Sequence, residues 1–194
     1  MSINLLEQVQ ENLLYPPLQK VNPNKVSPNI NDKKTTEVHF SEVAIPAVLI
    51  GLYKYSTTDE GATEILRGDS STNWVSKIFR DTKVEVIESI AGFVDQSQLN
   101  SFEQMDNIAY EAIKLAKENM PTPATIKDVK TFFSGQVNNI LPFLEPELKM
   151  GDILNDTGID DNTNKMLGPI SSLMHSIGSV FSTPETNNDI KPEV

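Results

Sequence analysis

The chain has 194 residues, with 16 Lys and Arg against 27 Asp and Glu, a formal charge of −11 at pH 7. That balance, with Arg67 and Arg80 as the only arginines, argues against nucleic-acid binding, because such affinity rests on Lys and Arg displacing counterions condensed on phosphates. Cysteine is absent, which excludes disulfides, a thiolate nucleophile and Cys-ligated zinc or iron–sulfur sites.

The first twenty residues hold Glu7, Glu11, Pro16 and Pro17 and lack the basic start and apolar run of a signal peptide, so a cytoplasmic protein is expected. Within them Leu5, Leu6, Val9, Leu13 and Leu14 recur at helical spacing until the prolines stop the segment, giving an N-terminal helix in 1–20. Residues 21–38 change to Asn, Pro, Lys and Thr and read as a linker. The domain proper is expected over 39–182, with a disordered acidic tail at 183–194.

From Phe40 to Tyr55 the sequence is apolar almost all round, the mark of a helix in the middle of a bundle. Its apolar heart, Val43 to Tyr53, is about half of the roughly 20 residues needed to cross a bilayer, so no transmembrane span is expected. Pro46 suits the first turn of that helix; deeper, it would cost a backbone hydrogen bond. Thr57-Thr58-Asp59-Glu60 matches a capping box with Thr57 as the cap, opening a helix from Thr58 to about Leu66 that Gly68 ends.

Trp74, Val75, Ile78, Phe79, Val86, Ile87, Ile90, Phe93 and Val94 form one long helical stripe. Phe102, Met105, Ala109, Ala112, Ile113, Ala116 and Met120 form a second, across the short polar connection Asp95-Gln96-Ser97-Gln98. After Pro121 and Pro123, Ile126, Val129, Phe132, Phe133, Val137, Ile140, Leu141 and Leu144 continue the period until Pro142 and Pro146 break it. The closing stretch, Gly151 to Val194, carries seven acids and two lysines.

Residues with the spacing of a catalytic centre are missing from this reading, and no catalytic, cofactor-binding or metal-ligating residue is assigned. His39 and His175 share no motif with a nucleophile or a ligand set, and the nine glycines stand singly, without a phosphate-binding loop. Asp152 to Asn164 is the stretch most like a metal site, since Asp156, Asp160, Asn162 and Asn164 are hard oxygen ligands. Aligned to a calcium loop from Asp160, however, Lys165 stands where glycine is needed and Ser171 where the bidentate acid is needed, so a solvated turn-rich connection is the expectation. Asp81, Glu85 and Glu88, interleaved with Lys77, Arg80 and Lys83, read as a solvated face of i,i+3 and i,i+4 pairs.

The segment Pro169 to Phe181 is the most distinctive. Ile170, Leu173, Met174, Ile177 and Phe181 form an apolar stripe, and the opposite face offers Ser171, Ser172, His175, Ser176, Gly178 and Ser179 without a charge. Three readings stand: close packing of small residues inside its own domain, docking on a second copy or a partner, or lying in a membrane interface. The acidic charge opposes anionic lipid.

Ile45-Pro46-Ala47-Val48-Leu49-Ile50-Gly51-Leu52, followed by Thr57-Thr58-Asp59-Glu60-Gly61-Ala62 and Ile65-Leu66, resembles the signature of the bacterial YidB-like family, known as domain of unknown function 937. The resemblance covers Phe40 to Gly68, about a sixth of the chain, and Ile140-Leu141-Pro142-Phe143-Leu144 with Gly151-Asp152-Ile153-Leu154 is a candidate shortened second copy, an internal helix-turn-helix repeat. It departs from that family in holding few glycines and many Asn, Ser and acids. The resemblance implies an all-helical fold and no catalytic residues.

The expected architecture is therefore all-α, a compact multi-helix bundle of six to eight helices. The expected function is a non-enzymatic helical interaction or scaffold module, without cofactor, binding a protein partner or itself through an apolar helix face. The alternatives are a peripheral membrane-surface protein using 169–181 and a metal-assisted enzyme using 152–161.

Overall fold

The computed structural model describes residues 3–21, 39–156 and 158–159. Its α-helices are α1 (Leu5–Asn12), α2 (Phe40–Ser56), α3 (Asp59–Arg67), α4 (Trp74–Phe79), α5 (Lys83–Phe93), α6 (Gln98–Asn119), α7 (Ile126–Ser134), α8 (Val137–Ile140) and α9 (Met150–Ile153). Short 3-10 turns lie at Arg80–Thr82, Leu141–Phe143 and Pro146–Leu148, and there is no strand among the described residues. The chain is thus an all-α multi-helix bundle, as its periodicity predicts. Among the described residues no helix is long and apolar enough to cross a membrane.

The bundle is arranged around α2. Fourteen of its seventeen residues are buried, and α1 and α3 to α8 all pack on it. Ile45, Val48, Leu49, Ile50 and Leu52 are each shut off from solvent, and burying a side chain of this kind contributes about 1.5–3 kcal/mol. Pro46 stands deeper than the first turn, so the Glu42 carbonyl loses the N–H that a helix would normally bring to it. At Gly51 the neighbouring helix α4 comes close: a Cβ there would lie 2.7 Å from the Phe79 ring and 2.9 Å from Ile78.

α3 starts one residue later than its sequence suggests. α2 runs on to Ser56, so Thr57 falls in its last turn and donates its hydroxyl to the Lys54 carbonyl at 2.7 Å. Thr58 is the cap instead, its Oγ1 accepting from the Gly61 N–H at 3.0 Å, and the Thr57–Glu60 box does not form. Gly61 is required by this tight turn, since a Cβ would sit 2.0 Å from the Tyr55 carbonyl oxygen. Gly68 does follow α3 as its cap residue.

The stripe from Trp74 to Val94 is not one helix. It breaks at Arg80, whose φ of 42° and ψ of −116° lie outside helical space, and the Thr82 hydroxyl donates to the Phe79 carbonyl left over at 2.8 Å. The break lets α4 and α5 pack separately on both α2 and α6, and Asp106 of α6 accepts the Val75 N–H in the first turn of α4 at 2.9 Å. The run from Ile126 to Leu144 likewise divides at Gly135 and Gln136 into α7, α8 and a 3-10 turn. The candidate second repeat is not built like the first. Pro142 and Pro146 leave it as α8, two 3-10 turns and α9, single turns where α2 and α3 have seventeen and nine residues.

α1, read from the sequence as a segment ahead of the domain, belongs to its core. Leu5, Leu6 and Val9 are fully buried, and α1 packs on α2, α6 and α8. Two polar contacts fix its ends: Gln136, only 1% exposed, accepts the Leu5 N–H on Oε1 at 3.0 Å, and Asn12 donates to Glu111 Oε1 of α6 at 2.7 Å.

Gly51→Ala is expected to destabilise the protein by about 1–3 kcal/mol, because overpacking between α2 and α4 outweighs the roughly 1 kcal/mol that alanine gains in helix propensity. Equilibrium urea unfolding checks this; an unchanged or raised midpoint would show that Phe79 can move aside.

Candidate interaction surface

The apolar stripe Ile170, Leu173, Met174, Ile177 and Phe181 lies outside the described residues, as do His175, Asp160, Asp161, Asn162 and Asn164. Of the acidic stretch, Asp156 is engaged by Lys54 of α2 at 2.8 Å and accepts the Gly158 N–H at 3.2 Å, so it ties the chain after α9 to the central helix. Among the described residues no three His, Asp or Glu side chains are grouped as a metal site. His39 stands exposed at the start of α2, its N–H donating to Glu42 Oε2 at 3.1 Å. Asp81, Glu85 and Glu88 are all exposed, with Glu88 accepting from Gln98 at 3.2 Å, in keeping with a solvated face.

A polar cluster that the sequence did not signal joins α2, α3 and α4. Tyr55, 6% exposed, donates its hydroxyl to Glu64 Oε2, which also accepts from Lys77 Nζ at 2.8 Å. Arg80 lies over the Tyr55 ring, 5.8 Å from its centroid, and pairs with Glu60 at 3.2 Å. Burial, with the hydrogen bond and charge of Glu64 added, raises the Tyr55 pKa. The hydrogen bonds from Lys77 and Tyr55 hold Glu64 below the ordinary carboxylate range. Each group is thus committed to a neighbour on another helix, which is the pattern of a clasp and not of an acid–base pair poised to exchange protons.

The surface with unsatisfied packing lies at the end of α1. The helix closes with the Tyr15 N–H donating to the Gln10 carbonyl at 3.0 Å and the Leu14 N–H to that of Glu11 at 3.1 Å, a Schellman arrangement. Its left-handed position, normally glycine, is Leu14 with φ of 57°. A leucine there is strained by about 1–2 kcal/mol, and this one is also 90% exposed. The sequence reading placed Leu14 with Leu5, Leu6, Val9 and Leu13, yet at 100° per residue it falls about 120° from the centre of that stripe. That angular offset is the signal in the sequence that sets it apart.

Beyond Leu14 the chain turns back along α1. Leu18 packs on the core, and the Val21 N–H donates to the Pro142 carbonyl at 2.9 Å. Between the two walls lies an open cleft of about 330 Å³. Pro17, Leu18 and Phe143 give it apolar surface, and Glu7 and Glu11 stand exposed on its α1 wall. Leu14 occupies the turn that joins the walls. Pro17, Leu18 and Phe143 in the cleft and Leu14 at the adjoining turn leave apolar surface in water at this end of the bundle.

The chain matches no protein-family model, and comparison with curated proteins and with solved structures finds no match.

Tyr55→Phe is expected to cost about 1–2 kcal/mol, the range for a hydrogen bond to a charged group less the gain from an easily buried ring. Because the folded pKa of Glu64 lies below its unfolded value, its stabilisation is complete above the unfolded pKa and is lost as pH falls through the folded one. Glu64→Gln should therefore be less stable than the parent at pH 7, with the gap narrowing below about pH 4.5. Thermal unfolding across pH checks both; a constant gap would overturn the clasp. Separately, Leu14→Gly should raise stability by about 0.5–1 kcal/mol, relief of strain exceeding the entropy that glycine adds to the unfolded chain. A lower unfolding midpoint would contradict this.

Proposed function

We propose that the chain is a non-enzymatic helical interaction module of a bacterial cytoplasm that engages a protein partner through the end of α1. The observation that supports this reading is Leu14. Folding alone would favour glycine at its left-handed position, and the exposed side chain makes no burial inside the chain that would offset the strain, which a contact outside the chain would explain. A cleft with Pro17, Leu18 and Phe143 in its lining adds apolar surface at the same end of the bundle. Kinship with the YidB-like family over Phe40 to Gly68 is kept within this proposal as a likeness of fold, supported by the close approaches at Gly51 and Gly61, two positions of the shared motif.

Replacing Leu14 with a photo-crosslinking phenylalanine analogue, and in a second protein Val84, which is 57% exposed on α5, gives a direct test in extract of the source cells. Discrete adducts from position 14 that position 84 does not form are expected. An empty lane at position 14, or the same adducts from both positions, would overturn the reading.

A further inference from the structure

We propose that the α1 cleft accepts a short amphipathic segment of another protein in which Lys or Arg flanks an apolar residue. This rests on the interaction reading above and names the partner's chemistry. The cleft is too small for a folded element and of the right size for one or two apolar side chains at about 330 Å³. Its charge is one-sided: Glu7 and Glu11 stand one turn apart on α1, and no Lys or Arg is among the described residues that line it. Glu11 accepts only a neutral amide in the contact seen, from Gln8 at 3.1 Å. A partner with cations on either side of an apolar anchor would place the anchor between Leu18 and Phe143, meet the two carboxylates, and cover Leu14 at the turn. The net charge of −11 steers such a segment toward the protein and disfavours a second copy of the same chain, which brings like charge to the same surface.

The test measures fluorescence anisotropy of a labelled Lys/Leu amphipathic peptide of about four helical turns, with its Glu/Leu counterpart as control, against the full chain. The Lys/Leu peptide should bind and the Glu/Leu peptide should not. Glu7→Lys with Glu11→Lys should weaken binding at least about tenfold. Glu85→Lys with Glu88→Lys, the same charge change on α5, should stay within about twofold. Leu14→Gly should also weaken it about tenfold, although the variant is expected to be the more stable protein, so that loss cannot be ascribed to unfolding. Equal weakening by the two charge-reversed pairs, unaltered binding by Leu14→Gly, or no binding by the parent would each overturn the proposal. So would an adduct at position 14 of twice the chain mass, which would identify a second copy as the occupant. If position 14 crosslinks to another protein but the peptide fails, the partner chemistry is wrong and the interaction reading stands; if position 14 forms no adduct, the reading itself fails.

Discussion

A helix with no polar face cannot lie on a surface, and that constraint on α2 shapes everything around it. Soluble helices usually leave one side to water; α2 has apolar or small residues on every side and must be enclosed. Enclosure takes seven neighbours, several of them too short to be stable alone, which hold their form because α2 gives each a surface to bury. Close approach is then unavoidable. Gly51 admits the Phe79 ring where any side chain would collide, and Gly61 admits the Tyr55 carbonyl where the chain reverses into α3.

The same demand brings α1 into the bundle across a long stretch of intervening sequence. Apolar burial of Leu5, Leu6 and Val9 supplies the attraction, but attraction of that kind has no direction. Direction comes from Gln136 at one end of α1 and Glu111 at the other, each a polar group held away from solvent that is best satisfied at one placement of the helix. With α1 so placed, its C-terminal turn projects Leu14 outward and the returning chain forms a cleft against it. The exposed apolar surface at this end is therefore a by-product of how the last wall of the core is fastened.

Much of the helical content was legible because periodicity reports burial directly. α2 ends one residue beyond the sequence reading, and of the stripe named for α6 Met105, Ala109, Ala112, Ile113, Ala116 and Met120 are buried, while Phe102 is only partly so and Ile108 and Leu115 join the core unannounced. The break at Arg80 was invisible for a physical reason. Phe79 and Val86 are seven residues apart, two helical turns, so the stripe keeps its phase whether or not the chain bends between them. The Thr57–Thr58 ambiguity is of the same sort: either hydroxyl can cap, and where α2 happens to stop decides which one does.

The candidate surface was less legible than the fold. Leu14 looked like one more core leucine next to Leu13, and its distinction lies in an angular offset that becomes exposure only once α1 is fixed against α2, α6 and α8. The Tyr55–Glu64–Lys77 clasp joins residues from three helices, and no spacing along the chain encodes their meeting. By itself the sequence determined the helical class, the central place of α2, the absence of thiol chemistry and the acidic character, because composition and period act locally and do not depend on what packs where. Only the tertiary structure decided which helices divide, which hydroxyl caps, that α1 joins the core and that one strained leucine is left facing outward, because each of these is a choice between locally equivalent options made by neighbours distant in the chain.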